Sequence, residues 1–278
     1  MITVSKKNEV YLKIDTDPST EQELSDFFTF EVPGARFMPL YKNRMWDGKV
    51  RLFSQYTKEL YLGLLPYVKE FANTLEYDLQ INIPDLGEKV NVESFTKLLK
   101  LQSGGKDIQI RDYQIDAVRH ALRHSRTLLL SPTASGKSLI IYTLIRYHQQ
   151  QNRKQLIVVP TTSLVEQMYS DFIDYGWNDK YLHRIYQGHE KETDKPVIIS
   201  TWQSLFKLDK KYFEKFGCVI GDEAHLFKSK SLTTIMTKLI DCKYRFGMTG
   251  TLDGTQTHRL VLEAVSYTHL TLPTICSV

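Results

Sequence analysis

Residues 131–138, Ser-Pro-Thr-Ala-Ser-Gly-Lys-Ser, form a run of small side chains ending in a glycine, a cation and a hydroxyl. The run follows an apolar stretch at 127–130 and precedes another at 139–145. A buried strand, a tight loop and Gly-Lys-Ser opening a helix make up the context that phosphate binding needs. Backbone N–H groups of the loop and of the first helical turn converge on one spot, where the helix dipole also favours negative charge. Thr133, Ala134, Ser135 and Gly136 would shape that cradle. Lys137 would reach the β- and γ-phosphates of a bound nucleotide, and the Ser138 hydroxyl would ligate Mg²⁺. Ser131 stands where the usual pattern has its first glycine.

A second group of reactive side chains lies downstream. Residues 218–221, Cys-Val-Ile-Gly, read as an apolar strand running into Asp222 and Glu223, with Ala224 and His225 after them. At the end of such a strand an aspartate holds Mg²⁺, which assigns Asp222 to the metal beside Ser138. Glu223, one residue on, is placed to take a proton from the water that attacks the γ-phosphate. Lys137, Asp222 and Glu223 are therefore the candidate catalytic set.

The elements needed to position these residues are legible from residue 107 onward. A helical spacing at 113–124 is followed by alternating apolar runs and helices: 156–159, a helix around 164–172, 197–200, 218–221, a helix near 232–239 and 244–248. Strands separated by helices predict an α/β fold, a RecA-like parallel sheet flanked by helices, with ligands at the strands' carboxyl ends. Residues 1–102 read instead as a small α+β domain, in which 10–14, 49–53, 60–63 and 79–83 are strands and 49–53 pairs with 60–63 as a hairpin. The Thr20-x-x-Glu23 spacing predicts a capping box opening its first helix. A Gly-Gly segment at 103–107 reads as a linker, and 108–263 as the RecA-like domain. Residues 264–278 hold no Asp, Glu, Lys or Arg and are expected to be a non-native tail outside the fold.

Composition narrows the setting. The 278 residues are 42% hydrophobic and 24% charged, with a net charge of +4, as for an ordinary globular protein. The three cysteines, Cys218, Cys242 and Cys276, lack zinc-ligand spacing and fit a reducing compartment. No apolar run is long enough to span a membrane, so a soluble, cytoplasmic, monomeric protein is expected. The first domain nets −2, yet Arg36, Lys42, Arg44, Lys49 and Arg51 face a single acid, Asp47, between 36 and 51. Phe37, Tyr41, Trp46 and Phe53 are interleaved with them. Two readings stay open: a surface that tracks phosphates and stacks bases, or core aromatics beside a solvated basic edge.

Together with the P-loop, Asp222-Glu223-Ala224-His225 makes the chain resemble the superfamily 2 helicases of the DExH type. That resemblance implies several further roles. Arg111 and Gln114 match the adenine-reading element. Thr161 and Thr162, then Ser200, Thr201 and Gln203, match motifs that contact nucleic acid. His225, Thr249 and Thr251 match residues that couple the ATP site to the nucleic-acid groove. The N-terminal stretch containing Lys42, Arg44, Trp46, Lys49 and Arg51 is similar to that of helicases remodelling branched DNA, R-loops and RNA–DNA hybrids. The family also carries a second RecA-like domain with arginine fingers, for which 278 residues leave no room, so this chain is expected to be a half-motor nearly inactive by itself. A double-stranded-DNA translocase or a nucleotide-gated DNA-binding module shares these motifs and remains an alternative.

Overall fold

The computed structural model describes residues 1–84, 90–132, 135–223, 229–250 and 269–271. The chain divides into two compact units at residues 85 and 86.

The first unit opens with β1 (Ile2–Lys6) and β2 (Tyr11–Asp15), antiparallel to each other. Helix α1 (Pro18–Phe27) begins at Asp17, whose side chain accepts from the N–H groups of Ser19 and Thr20. The predicted capping box at Thr20 is therefore one turn late. Asp17 followed by Pro18 at the first helical position already satisfies the orphan donors. β3 (Thr29–Glu31), the short α2 (Pro39–Lys42), β4 (Lys49–Arg51), β5 (Phe53–Ser54), β6 (Glu59–Tyr61), α3 (Leu65–Thr74) and β7 (Leu79–Asn82) follow. The main sheet runs β5-β6-β2-β1-β7, with β7 parallel to β1. The expected hairpin between 49–53 and 60–63 is split. β4 pairs with β3 in a separate two-stranded sheet, and only β5 pairs with β6. Leu52 and Phe53 are both buried, which breaks the in–out alternation one hairpin would need.

The second unit starts with α4 (Val92–Leu98) and a hairpin of β8 (Gln102–Ser103) and β9 (Lys106–Asp107). It continues with α5 (Asp112–His124), β10 (Arg126–Leu130), α6 (Lys137–Gln150), β11 (Gln155–Val159) and α7 (Thr162–Asp174). β12 (Leu182–Ile185), β13 (Val197–Thr201), α8 (Trp202–Leu205), α9 (Lys210–Phe213), β14 (Cys218–Gly221), α10 (Ser229–Lys238), β15 (Tyr244–Thr249) and β16 (His269–Thr271) complete it. Among the described residues its main sheet has seven strands in the order β12-β13-β11-β14-β15-β10-β16, all parallel. The central strands are buried along their whole length, as apolar runs covered on both faces must be.

Three boundary expectations change. Val92, Phe95, Leu99 and Leu101 share one core with Ala117 and Val118 of α5 and Ile141 of α6, so α4 belongs to the second unit. The predicted linker 103–107 is the turn of the β8–β9 hairpin. Asp174 at the end of α7 fixes it, accepting from Ser103 Oγ at 2.7 Å and from Gly104 N at 2.9 Å. Residues 269–271, expected to lie outside the fold, form the edge strand beside β10. β1 and β12 went unread in the sequence; both are short, and Leu182-His183-Arg184-Ile185 shows no alternation.

Candidate nucleotide site and nucleic-acid contacts

The phosphate loop is held by backbone and hydroxyl contacts around it. Ser131 N donates to Thr249 O at 2.8 Å, tying the end of β10 to the end of β15. The Ser131 and Ser135 hydroxyls bond to each other across the loop, and Ser135 N donates to Pro132 O. Ser131 thus closes the loop with its side chain at the position where a glycine is usual. Gly136 takes a left-handed conformation, φ 71°, and forms the N-terminal boundary of α6, where no described side chain caps the helix. The first turn of α6 is therefore left without a described side-chain cap, an arrangement that suits an anion.

The three candidate catalytic side chains meet there. The Lys137 ammonium is ion-paired with the Glu223 carboxylate and lies 3.4 Å from Asp222 Oδ1. Asp222 is placed by its own N–H, which donates to Val158 O at 2.9 Å on the neighbouring strand β11. Its Oδ1 also accepts from Glu223 N at 3.0 Å. Glu223 sits at φ 50°, a left-handed backbone uncommon outside glycine, which turns its carboxylate back toward Lys137. Burial pushes the Asp222 carboxyl above its ordinary range; Lys137 opposes the shift and Glu223 adds to it. A buried carboxylate beside one cation and a second carboxylate is a hard-oxygen donor set that a divalent cation would relieve, so the residues fit Mg²⁺. Ser138 is half-buried on the first turn of α6, with its hydroxyl close to Asp171 and Tyr175.

The amino end of α5 packs behind the loop. Gln114 is buried, its Oε1 accepting from Arg111 N and its Nε2 donating to Ser135 O, both at 3.0 Å. The expected adenine reader is thus committed to the phosphate loop, and would have to leave these bonds to pair with a base. Arg111 is exposed. Tyr113, which the sequence did not single out, donates from its hydroxyl to the same Ser135 carbonyl at 2.8 Å. Its one sequence signal was a hydroxyl-bearing aromatic next to Gln114.

Thr249 is fully buried at the end of β15, between the strands that carry the two motifs. Thr161 is the N-cap of α7 and accepts from Leu164 N; both it and Thr162 are exposed. Gln203 is exposed on α8, where Nε2 donates to Pro160 O. The ends of β11 and β13 are in register, Val159 opposite Thr201, so these exposed groups follow adjacent strands. Ser200 and Thr201 depart from the expectation of a nucleic-acid contact. The Ser200 hydroxyl donates to Ile185 O and Thr201 O with no exposure, and the Thr201 hydroxyl is buried against Ser204. Their polar groups serve the strand end. In the first unit Lys42, Arg44, Lys49 and Arg51 are exposed, and Arg51 is ion-paired with Asp47. Trp46 is half-buried with Nε1 donating to Lys49 O, whereas Phe53 is core. The two open readings therefore divide the stretch: its cations are solvated and its Phe53 is structural. Thr133, Ala134, His225 and Thr251 lie outside the described residues.

A parallel sheet with Gly-Lys-Ser after one strand and Asp-Glu after the next strand but one defines a P-loop nucleoside-triphosphatase core of the RecA type. Residues 107–254 match the family described as "Type III restriction enzyme, res subunit", and residues 2–82 match "DNA helicase UvsW, N-terminal". The chain belongs to the superfamily 2 helicases of the UvsW type. It is 38% identical over 255 residues to the ATP-dependent DNA helicase uvsW of Enterobacteria phage T4, a match covering 88% of this chain and 51% of that protein. The archaeal DNA 3'-5' translocase XPB2 of Sulfurisphaera tokodaii is 31% identical over 144 residues, covering 52% of this chain and 31% of the relative. A crystal structure of the UvsW helicase from bacteriophage T4 superposes with a TM-score of 0.89 at 35% identity, covering 97% of this chain and 99% of that one. The chain spans about half the length of the curated T4 relative. Among the described residues no helix is long and apolar enough to cross a membrane.

Proposed function

We propose that this chain is the nucleotide-hydrolysing, DNA-engaging part of an ATP-dependent helicase that remodels branched DNA, including forks, recombination junctions and RNA–DNA hybrids. The observation that supports it best is the convergence of Lys137, Asp222 and Glu223, brought from 86 residues apart to one point in front of a helix N-terminus. The two carboxylates hold the ammonium of Lys137. A triphosphate is the stronger anion at the helix N-terminus, and it would take Lys137 over from Glu223. Glu223, once released from Lys137, would be the group that accepts a proton from the attacking water. Ser138 and Asp222 would hold Mg²⁺, which neutralises charge on the transferring phosphoryl group. The Ser131–Thr249 backbone bond would carry a change at the phosphates into β15, and Thr161, Thr162 and Gln203 would meet DNA at the neighbouring strand ends. In the first unit Lys42, Arg44 and Lys49, with Arg51, would meet backbone phosphates.

A second reading, a double-stranded-DNA translocase, is favoured by the restriction-subunit family match and by the relative named as a translocase. ATP hydrolysis by the intact protein on forked, single-stranded and hybrid substrates tests the main proposal, with strand displacement set against triplex displacement to separate the two readings. Hydrolysis unaffected by any DNA would defeat both.

A further inference from the structure

Large exposed apolar side chains are concentrated in one short segment. Five of the eleven among the described residues lie between positions 37 and 45: Phe37, Met38, Leu40, Tyr41 and Met45. Phe37 is 81% exposed, Met45 74% and Leu40 55%. Scattered apolar exposure needs no explanation, but a contiguous patch marks a contact surface. The backbone beneath it is well defined. A 3₁₀ turn at Ala35–Phe37 leads into α2, and Met45 N closes back onto Leu40 O at 2.9 Å. Gly48 lets the Tyr41 ring pack against the chain, since a β-carbon there would sit 3.2 Å from the ring and 3.0 Å from Ala35 Cβ. Trp46 is tied to Lys49 O. The apolar tip is therefore presented by a braced loop, with little ordering left to do on contact.

The rim of the patch decides what it fits. Arg36, Lys42, Arg44 and Lys49 are exposed around it, outnumbering two acids: Asp47, which is engaged by Arg51, and Glu31, which lies opposite Lys49 on the paired strand. The complement must be anionic and must also offer flat apolar faces. Paired duplex DNA presents phosphates and hides its base faces, whereas a branch point exposes both. We infer that Phe37, Leu40 and Met45 form a base-stacking tip that takes an unpaired or terminal base at a DNA branch, while the flanking cations hold the adjoining phosphates. This rests on the proposed function and deepens it: the tip would select junctions, and the motor unit would not.

The test uses the intact protein and a fork carrying 2-aminopurine at the branch, beside a blunt duplex of equal length. Wild type should raise the 2-aminopurine fluorescence and prefer the fork by ~10-fold, the order expected for one stacked base. Phe37→Ala/Leu40→Ala/Met45→Ala should abolish the signal and the preference while keeping the salt dependence and the melting temperature, because all three side chains are solvated. Phe37→Trp should retain the fork preference. Lys42→Ala/Arg44→Ala should do the reverse, lowering the salt slope by ~0.7–0.9 for each phosphate left without its cation. An unchanged fork preference and signal in the triple variant would overturn the tip. So would binding to phosphatidylserine vesicles that the triple variant loses, without fork preference in wild type, since the patch would then be a lipid surface. Equal affinity for fork and duplex with DNA-stimulated hydrolysis intact removes only this inference; no DNA binding at all removes the underlying function with it.

Discussion

A β-carbon on Gly136 would collide with the Gln114 amide nitrogen. The loop and the amino end of α5 are thus fitted to each other, and the Ser135 carbonyl receives both Tyr113 and Gln114. Holding that carbonyl fixes the Ser135–Gly136 peptide plane, which directs the Gly136 N–H to the opposite side.

Gly136→Ala should therefore fail twice. It places a side chain at φ 71° and drives it into Gln114. The left-handed conformation alone costs about 1–2 kcal/mol. Calorimetry with a non-hydrolysable ATP analogue should show binding weakened by roughly 5- to 30-fold, the equivalent of that strain. Unchanged affinity would mean that the loop relaxes freely.

Lys137→Ala and Glu223→Gln should part company. The first removes the cation expected at the phosphates and should abolish ATP binding. The second keeps the size of the side chain but frees Lys137 from its ion pair. It should bind ATP at least as tightly as wild type while hydrolysis falls by about 10²–10⁴. Wild-type turnover by Glu223→Gln would exclude it as the general base.

Tyr113→Phe deletes one of the two donors to Ser135 O. A hydrogen bond of this kind is worth about 0.5–1.5 kcal/mol, so ATP affinity should fall several-fold. Discrimination between ATP and GTP should stay constant, because the tyrosine acts on the loop and not on the base. Gln114→Ala should weaken both. Competition binding with the two nucleotides separates these effects.

Arg245 lies buried in β15 and donates to Met236 O at 2.9 Å and to Cys242 O at 3.1 Å, with Leu239 O as a third acceptor. Arg245→Met leaves those carbonyls without their donor in a dry interior. Chemical denaturation should show a loss of about 3 kcal/mol or more.

Burial, with His124 and Arg123 nearby, holds His120 of α5 down to about 4 from the ordinary 6.5. Below pH 6.5 the unfolded chain gains a proton that the folded one does not, so stability should decline as pH falls from 6.5 toward 4 and level off beneath it. His120→Gln should flatten that part of the stability profile. A profile identical to wild type would show that the imidazole is solvated.

The chemistry was legible in the sequence because local order carries it. Gly136, Lys137 and Ser138 open a helix after an apolar strand, and Asp222 and Glu223 end another; strand and helix periodicity suffice to place both at strand carboxyl ends. Sequence could also say that a parallel sheet would form, since uninterrupted apolar runs such as residues 156–159 have no polar face to offer water. It could not say which strand ends become neighbours. That β15 lies between β14 and β10, so that Thr249 O meets Ser131 N, is a fact of strand order set by long-range packing. The same holds for exposure. Ser200 and Thr201 have the residue types of a nucleic-acid contact, yet adjacent strand ends bury them. Phe37 and Phe53 have identical side chains, yet one is solvated and the other is core. Residue type fixes what a group is able to do; only tertiary packing decides which groups remain in contact with water, and therefore with a partner.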